Sequence, residues 1–521
     1  MAVFNGTKHD DDLNGTDGND DFHLQKGGTD TASGGKGDDL FRMGATLDGT
    51  DRIDGGDGRD TVFLHGDYSA GLFFQDDTIK NVEVLRLGAG FSYTLGMSDG
   101  NVAAGETLTI NASPLDSAHS LTFNGVEEHD GHFVVYAGAG DDNVTGGTQA
   151  DKIHLEQGGN DTVHGGSGDD ILYFGTQLSA ADKVFGDAGV DTLVYGGTFG
   201  AAPNPTFNAS FIHSIESIVL TDSNMMGTVS FTGDVTTGNV GGLTVDASAL
   251  TIATAFDFSG ATSAIYHITG GSNNDSFKFA GNFTNSDRLD GGAGQDTLDI
   301  NGSSLFSVNF DPDTIKNVET ITLNGTGSVF LTMNDGNVAA GKSLTVTTVS
   351  SSVDLNFDGS AETDGSFTIT GGSNVDTIKG GHGADTISGG GSGDSLTGGA
   401  GADTFLYTAV GQSSNLTFDG ITDFAAGTDK IDTNITVLGF GSIEHHSVNE
   451  ATFNQDLQAA GAGDDQLHPS WAHIVHADSG DFAGHDFLII DANGTGQYEA
   501  SFDYVIDITG YTGTVTAGDF I

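Results

Sequence analysis

Residues 371–406 read GGSNVDTIK, GGHGADTIS, GGGSGDSLT, GGAGADTFL, four nonapeptides in unbroken register. Each follows G-G-x-G-x-D-x-U-x, where U is a large apolar residue: Ile378, Ile387, Leu396 and Phe405. Asp376, Asp385, Asp394 and Asp403 all fall at position six. Position four loses its glycine in two units, to Asn374 and Ser392. A fixed short period means a solenoid, because one unit cannot bury its own apolar residue and must stack on its neighbours. The x-U-x triplet is a short strand with its middle side chain pointing inward.

The rest of each unit carries chemistry. Glycines accept positive-φ turns and let backbone carbonyls crowd inward. The aspartate adds a hard anionic oxygen, and Ca²⁺ takes six to eight such oxygens. With two nonapeptides per coil, loops two units apart stack, so Asp376 should face Asp394 and Asp385 should face Asp403. These residues resemble the repeats of the RTX (repeats-in-toxin) family of secreted calcium-binding proteins. One GGxGxD would be weak evidence, since aspartate in glycine-rich turns is common without metal. Four in register are strong.

The frame extends far beyond this stretch. Units at 6–14, 15–23, 25–33, 34–42, 46–54 and 55–63 place Asp11, Asp20, Asp30, Asp39, Asp51 and Asp60 at position six. A second block, from 137 to 194, places Asp142, Asp151, Asp161, Asp170, Asp182 and Asp191 there. The blocks share a one-residue interruption, Leu24 and Leu155, and a three-residue insertion, 43–45 and 174–176. A third, shortened block at 270–278, 282–290 and 291–299 carries Asp275, Asp287 and Asp296. Pairing each unit with the one two later gives four sites in each of the first two blocks, one in the third and two in the fourth. That makes eleven candidate Ca²⁺ sites among these 19 aspartates.

Charge points the same way. Sixteen Lys+Arg against 73 Asp+Glu leave a formal charge of −57. That argues against nucleic acid and anionic bilayers as partners and invites divalent cations. The 22 positive charges of eleven calcium ions would bring −57 to −35. Without them, stacked aspartates repel, and a chain with only 36% hydrophobic residues is expected to expand. Cysteine is absent, so disulfide and thiol chemistry are excluded. No 18-residue apolar run is present, and Met1-Ala2-Val3-Phe4-Asn5-Gly6 has neither the basic nor the apolar region of a cleaved signal.

The segments between blocks repeat too. Asp77-Thr78-Ile79-Lys80-Asn81-Val82-Glu83 recurs at 313–319, and Asp99-Gly100-Asn101-Val102-Ala103-Ala104-Gly105 recurs at 335–341. The middle copy is more diverged, with Ser214-Ile215-Glu216 in the Asn-Val-Glu place. All three run on into period-two apolar patterns, such as Leu108/Ile110, Leu243/Val245 and Leu344/Val346, which read as half-buried strands. They should prolong the solenoid as metal-free coils. Helix is expected only in short pieces, Asp76–Lys80 and Asn454–Ala460.

Beyond 406 the pattern breaks. Ile421-Thr422-Asp423-Phe424, Asp429-Lys430-Ile431-Asp432, Leu488-Ile489-Ile490-Asp491-Ala492-Asn493-Gly494, Asp503-Tyr504-Val505-Ile506-Asp507 and the closing Asp519-Phe520-Ile521 resemble the region that follows the repeats in serralysin-type metalloproteases. The resemblance implies a β-rich cap over 407–521 that carries an uncleaved type I secretion signal, with a Gram-negative source and an extracellular or cell-surface destination. The protease signature His-Glu-x-x-His is absent.

Other motifs are weaker. Gly96-Met97-Ser98-Asp99-Gly100 fits the serine-hydrolase elbow G-x-S-x-G, but its repeat equivalent has Asn334 for Ser98, so it reads as a turn. His445, His446, His468, His473, His476 and His485 could group as zinc ligands and read better as surface histidines. Asp491, Asn493 and Thr495 have the first three spacings of a calcium loop, with Asp503 nearby, but Phe502 stands where an EF-hand needs Glu. Asp423, Asp429 and Asp432 are calcium candidates at the solenoid end, or solvated turn acids.

The expected architecture is all-β, a right-handed parallel β-solenoid with a C-terminal cap. Its divisions are 1–136, 137–269, 270–370, 371–406 and 407–521. The expected function is that of a non-enzymatic, calcium-binding extracellular structural protein, a surface-layer or matrix component. Its expected partners are calcium, the type I secretion machinery, itself in a lattice or filament, and cell-surface polysaccharide. A soluble RTX effector or an adhesin is the alternative.

Overall fold

A computed structural model describes every residue except 197–204, 222–226, 237–240, 263–264, 303–305, 351 and 461–466, and the side chain of residue 442. The chain divides into two compact units, Met1–Ile252 with Gly260–Ile268, and Ala253–Ser259 with Thr269–Ile521. Both are built from short parallel strands joined by tight turns, which makes each a β-solenoid.

In the first unit the position-eight residues stack in one continuous column. Phe4, Phe22, Phe41, Val62, Leu85, Ile110, Val135, Ile153, Leu172, Leu193, Ile218 and Val245 are successive partners in parallel register. The first three rings stack at 4.7 and 4.6 Å between centroids. Leu85, Ile110, Ile218 and Val245 belong to the inter-block modules, so those modules are coils of the same solenoid. The opposite face is a four-stranded sheet ending at Ile79–Lys80 and a seven-stranded sheet from Tyr68–Phe73 to Ile212–His213.

The second unit repeats this construction. Ile321, Val346, Ile369 (beside Leu344 and Phe367), Ile387, Phe405 and Ile431 share one column, each fully or almost fully buried. Fully burying an Ile or Leu side chain is worth about 1.5–3 kcal/mol, and every coil contributes one such residue per face. The other face runs through Val353–Asp358, Thr377–Lys379, Ser395–Thr397 and Asp419–Ile421.

At that last strand the pairing changes. Asp419–Ile421 pairs in parallel with Tyr504–Asp507, which then pairs antiparallel with Asp486–Ile490, and that with Trp471–Ser479. The antiparallel layer covers the open strand edge that a bare solenoid would leave exposed. A small core of its own holds it. The helix Phe453–Ala460 turns Phe453, Leu457 and Ala460 inward against Val475, Phe487, Ile489 and Val505. Ser413 Oγ donates to the Val505 carbonyl at 2.5 Å and accepts from the Asp419 N–H at 2.8 Å. The chain end returns to the solenoid, with Ile521 N–H donating to the Ile431 carbonyl at 3.2 Å.

The expected helix at Asn454–Ala460 is present. The one at Asp76–Lys80 is not: residues 76–78 turn and Ile79–Lys80 is strand. Thr78 explains the difference. Its buried hydroxyl accepts the Gln75 N–H at 2.9 Å while its own N–H donates to the Gln75 carbonyl at 2.9 Å, a local pair that competes with helix. Thr314 does the same to Asp311 in the repeat.

Candidate calcium-binding ladders

Every position-six aspartate except Asp11 is buried, and most join the next coil by the same bond. The backbone N–H of one aspartate donates to a carboxylate oxygen of the aspartate two units later. In the first block Asp11 donates to Asp30 at 3.1 Å and Asp30 to Asp51 at 2.7 Å. Asp20 donates to Asp39 and Asp39 to Asp60, both at 2.7 Å. In the second, Asp142 reaches Asp161 at 2.8 Å, Asp161 Asp182 at 2.7 Å, Asp151 Asp170 at 2.7 Å and Asp170 Asp191 at 2.9 Å. Asp275 reaches Asp296 at 2.7 Å in the third. In the fourth, Asp376 reaches Asp394 at 2.8 Å and Asp385 reaches Asp403 at 2.9 Å, the pairs the nine-residue frame predicts.

The second carboxylate oxygen is partnered at some rungs and unpartnered at others. At the start of a block it accepts an N–H from its own unit, as Asp376 does from Gly372 and Asp385 from Gly381, both at 2.7 Å. At seven later rungs it has no partner. The Oδ2 atoms of Asp39, Asp60, Asp170, Asp191, Asp296, Asp394 and Asp403 are buried and accept no hydrogen bond. Position-one glycine shapes the space beside them. A Cβ on Gly34 would collide with both Asp39 Oδ2 and the Gly55 carbonyl, and one on Gly165 with Asp170 Oδ2 and the Gly186 carbonyl. Carboxylate and carbonyl oxygens therefore line one small cradle between stacked loops, and a side chain there would fill it.

Stacked burial makes these acids reluctant to ionise. Burial first, then the facing carboxylates, pushes Asp170 up to about 8 and Asp161 and Asp191 to about 7. Burial likewise pushes Asp394 to about 7 and Asp376 and Asp385 to about 6. A buried carboxylate oxygen without a partner is costly unless a cation offsets it. An all-oxygen cradle of carboxylates and carbonyls fits Ca²⁺, a hard cation that takes such ligands in flexible geometry.

Two family models match the chain. Residues 26–42, 46–67, 134–158, 157–177 and 284–299 match the RTX calcium-binding nonapeptide repeat. Residues 356–521 match the Peptidase M10 serralysin C terminal model. The chain thus carries stretches that match RTX repeats and a C-terminal third that matches the serralysin C-terminal region. Comparison with curated proteins gives no match. The serralysin match begins earlier than the 407–521 resemblance and takes in the fourth RTX block.

The RTX ladders run further than the nonapeptides. Glu83, Glu216 and Glu319 each accept the N–H of the last aspartate in a column, from Asp60 at 2.6 Å, Asp191 at 2.8 Å and Asp296 at 2.8 Å. The recurring Glu of the inter-block motif is thus the end rung of a ladder. In the fourth block Asp394 donates to Asp419 at 2.9 Å and Asp403 to Asp429 at 3.1 Å. Burial and the Asp394 carboxylate push Asp419 to about 8, and its Oδ2 is unpartnered. Asp429 is buried and is a rung, not a solvated turn acid. Asp423 accepts the N–H groups of Gly398 and Gly399 at 2.9 and 2.8 Å. Asp51 and Asp182 close two other columns, and Asp287 has the same local surroundings. Their Oδ2 atoms accept local N–H groups from Asp48, Ser179 and Thr284 at 2.8, 2.7 and 2.6 Å.

The remaining motifs resolve differently. Ser98 Oγ donates to Asp76 and its N–H to Asn101 Oδ1 at 2.8 Å, a turn rather than a nucleophile elbow. The histidines do not converge on one point. His485 pairs with Asp507 at 2.5 Å, His468 lies against Trp471, and His473 is buried rather than on the surface. His445, His476 and Asp478 alone come together, within 4.8 Å, on the solvent side. Asp491 accepts four backbone N–H groups, from Gly494, Thr495, Ser470 and Gly496 at 2.8–3.3 Å. Three of these donors belong to its own loop, and Ser470 comes from the strand start before Trp471.

Proposed function

We propose that this is a calcium-folded extracellular structural protein, exported by a type I system, that assembles with calcium as a surface-layer or matrix component. One observation carries the structural role: the inter-block modules are coils of the same solenoid, with Leu85, Ile110 and Val135 in register between RTX residues Val62 and Ile153. The segments where a separate activity would sit are scaffold. The RTX ladders and the serralysin-type C-terminal match support calcium binding and type I export from a Gram-negative bacterium. The acidic flanks keep copies apart until ions bridge them, so association needs more calcium than folding does. Cell-surface polysaccharide is the second partner of this reading. No enzyme activity is part of it.

Light scattering and electron microscopy across a calcium titration test the proposal. Folded monomers at low calcium, then sheets or filaments as calcium rises, support it. A protein that stays monomeric at millimolar calcium and high concentration refutes assembly and favours a soluble effector or adhesin.

A further inference from the structure

Two acid clusters stand outside the RTX ladders, one in each unit, at matching places in the first and third inter-block modules. Carboxylate oxygens of Asp99, Glu128 and Asp130 lie within 4.8 Å of one another, and so do those of Asp335, Glu362 and Asp364. We propose that each cluster is a further calcium site, in coils that carry no nonapeptide.

The buried glutamate is the deciding feature. Glu128 is 0% exposed; one carboxylate oxygen accepts the N–H groups of Gly131 at 3.0 Å and Asp130 at 3.3 Å, and the other has no hydrogen-bond partner. Glu362 repeats this atom for atom, with Gly365 at 3.0 Å, Asp364 at 3.3 Å, 0% exposure and an unpartnered Oε2. A buried anion left half-satisfied twice over needs a cation. The exposed aspartates are held facing it. Asp99 accepts the His129 N–H at 3.0 Å, and Asp335 the Thr363 N–H at 2.9 Å. The donors are all carboxylate oxygens, which suit Ca²⁺ and not a nitrogen- or sulfur-seeking metal.

The chain supplies its own comparison. In the middle module Thr237 stands in the place of Asp99, and residues 258–274, which cover the Glu-x-Asp-Gly position, contain no acid. The three acids are present together or absent together. Solvated surface charges have no reason to vary as a set; ligands of one ion do.

The test counts bound ions on the full chain, by native mass spectrometry of calcium-loaded, desalted protein. Asp99→Asn/Asp130→Asn and Asp335→Asn/Asp364→Asn remove exposed acids without touching the core. Each pair should lower the count by one, and the four substitutions together by two, with calcium-induced folding by circular dichroism unchanged. Glu128→Gln should also lose one ion, and Glu127→Gln, an exposed neighbour, none. An unchanged count in the folded four-substitution variant overturns the proposal. Loss of calcium-induced folding is not expected from it and would overturn the separation of these clusters from the ladders.

Discussion

The backbone N–H of Asp376 donates to the carboxylate of Asp394 at 2.8 Å, although the two residues are 18 apart in sequence. One side chain thus does two jobs: it fixes the neighbouring loop through one oxygen and leaves negative charge in the cradle. The first job favours the fold and the second opposes it, so the balance depends on what neutralises the charge.

Protons are one neutraliser. Burial raises several ladder carboxyls from 3.8 to between about 6 and 8, Asp376, Asp161 and Asp170 among them. The folded state therefore binds more protons than the unfolded chain across that window, and metal-free stability falls as pH rises from about 4 to 8. In chelator, the melting temperature should be higher at pH 5 than at pH 8. Calcium competes for the same oxygens, so its affinity should weaken on acidification over the same range. A chelated protein more stable at pH 8 than at pH 5 would contradict both.

If stacked loops share one ion, as proposed, ladder mutations are non-additive. The Asp385 N–H donates to the Asp403 carboxylate at 2.9 Å, so the two stand on adjacent coils of one ladder. Asp385→Ala and Asp403→Ala should each remove the same ion, so the double variant should lose little beyond either single one. A coupling energy of about 0.5–3 kcal/mol in a double-mutant cycle is expected for residues in such contact. Full additivity in calcium-loaded denaturation would mean the loops bind separately.

How much of this was legible in the sequence depended on whether glycine survived. Where G-G-x-G-x-D persists, as at 380–385, turn, ligand and strand are all written in nine residues. Glu83 and Asp419 escaped notice because no glycine pair precedes them, though each keeps the acid-x-apolar triplet in Glu83-Val84-Leu85 and Asp419-Gly420-Ile421. Thr78 misled in the other direction, since its hydroxyl turn resembles a helix start. The closing contacts lay beyond pattern reading altogether: Ser413 and Val505 meet across 92 residues, and no local period encodes that.

The end rungs offer a graded test. Glu319→Gln keeps an oxygen for the Asp296 N–H but removes the charge, so it should lower calcium affinity at the third block with a modest loss of stability. Glu319→Ala also strands that N–H, at an added cost of about 1–3 kcal/mol. Equal effects of the two in calcium titration and melting would show that charge plays no part there.

The closing region has a predicted role in export and in edge protection. Deleting 407–521 removes Asp419 and Asp429 from the ladders and uncovers the strand Ser395–Thr397. The truncated protein should stay inside cells carrying a type I exporter and aggregate when purified. Normal secretion of soluble truncated protein would refute both roles.

Circular dichroism of the full-length protein at pH 7.5, before and after verified metal removal, tests the central claim most directly. The stacked carboxylates of a −57 chain predict that chelator converts the β spectrum into that of an expanded coil and that millimolar calcium restores it. An unchanged β spectrum in the metal-free protein would contradict the claim that calcium holds these ladders together.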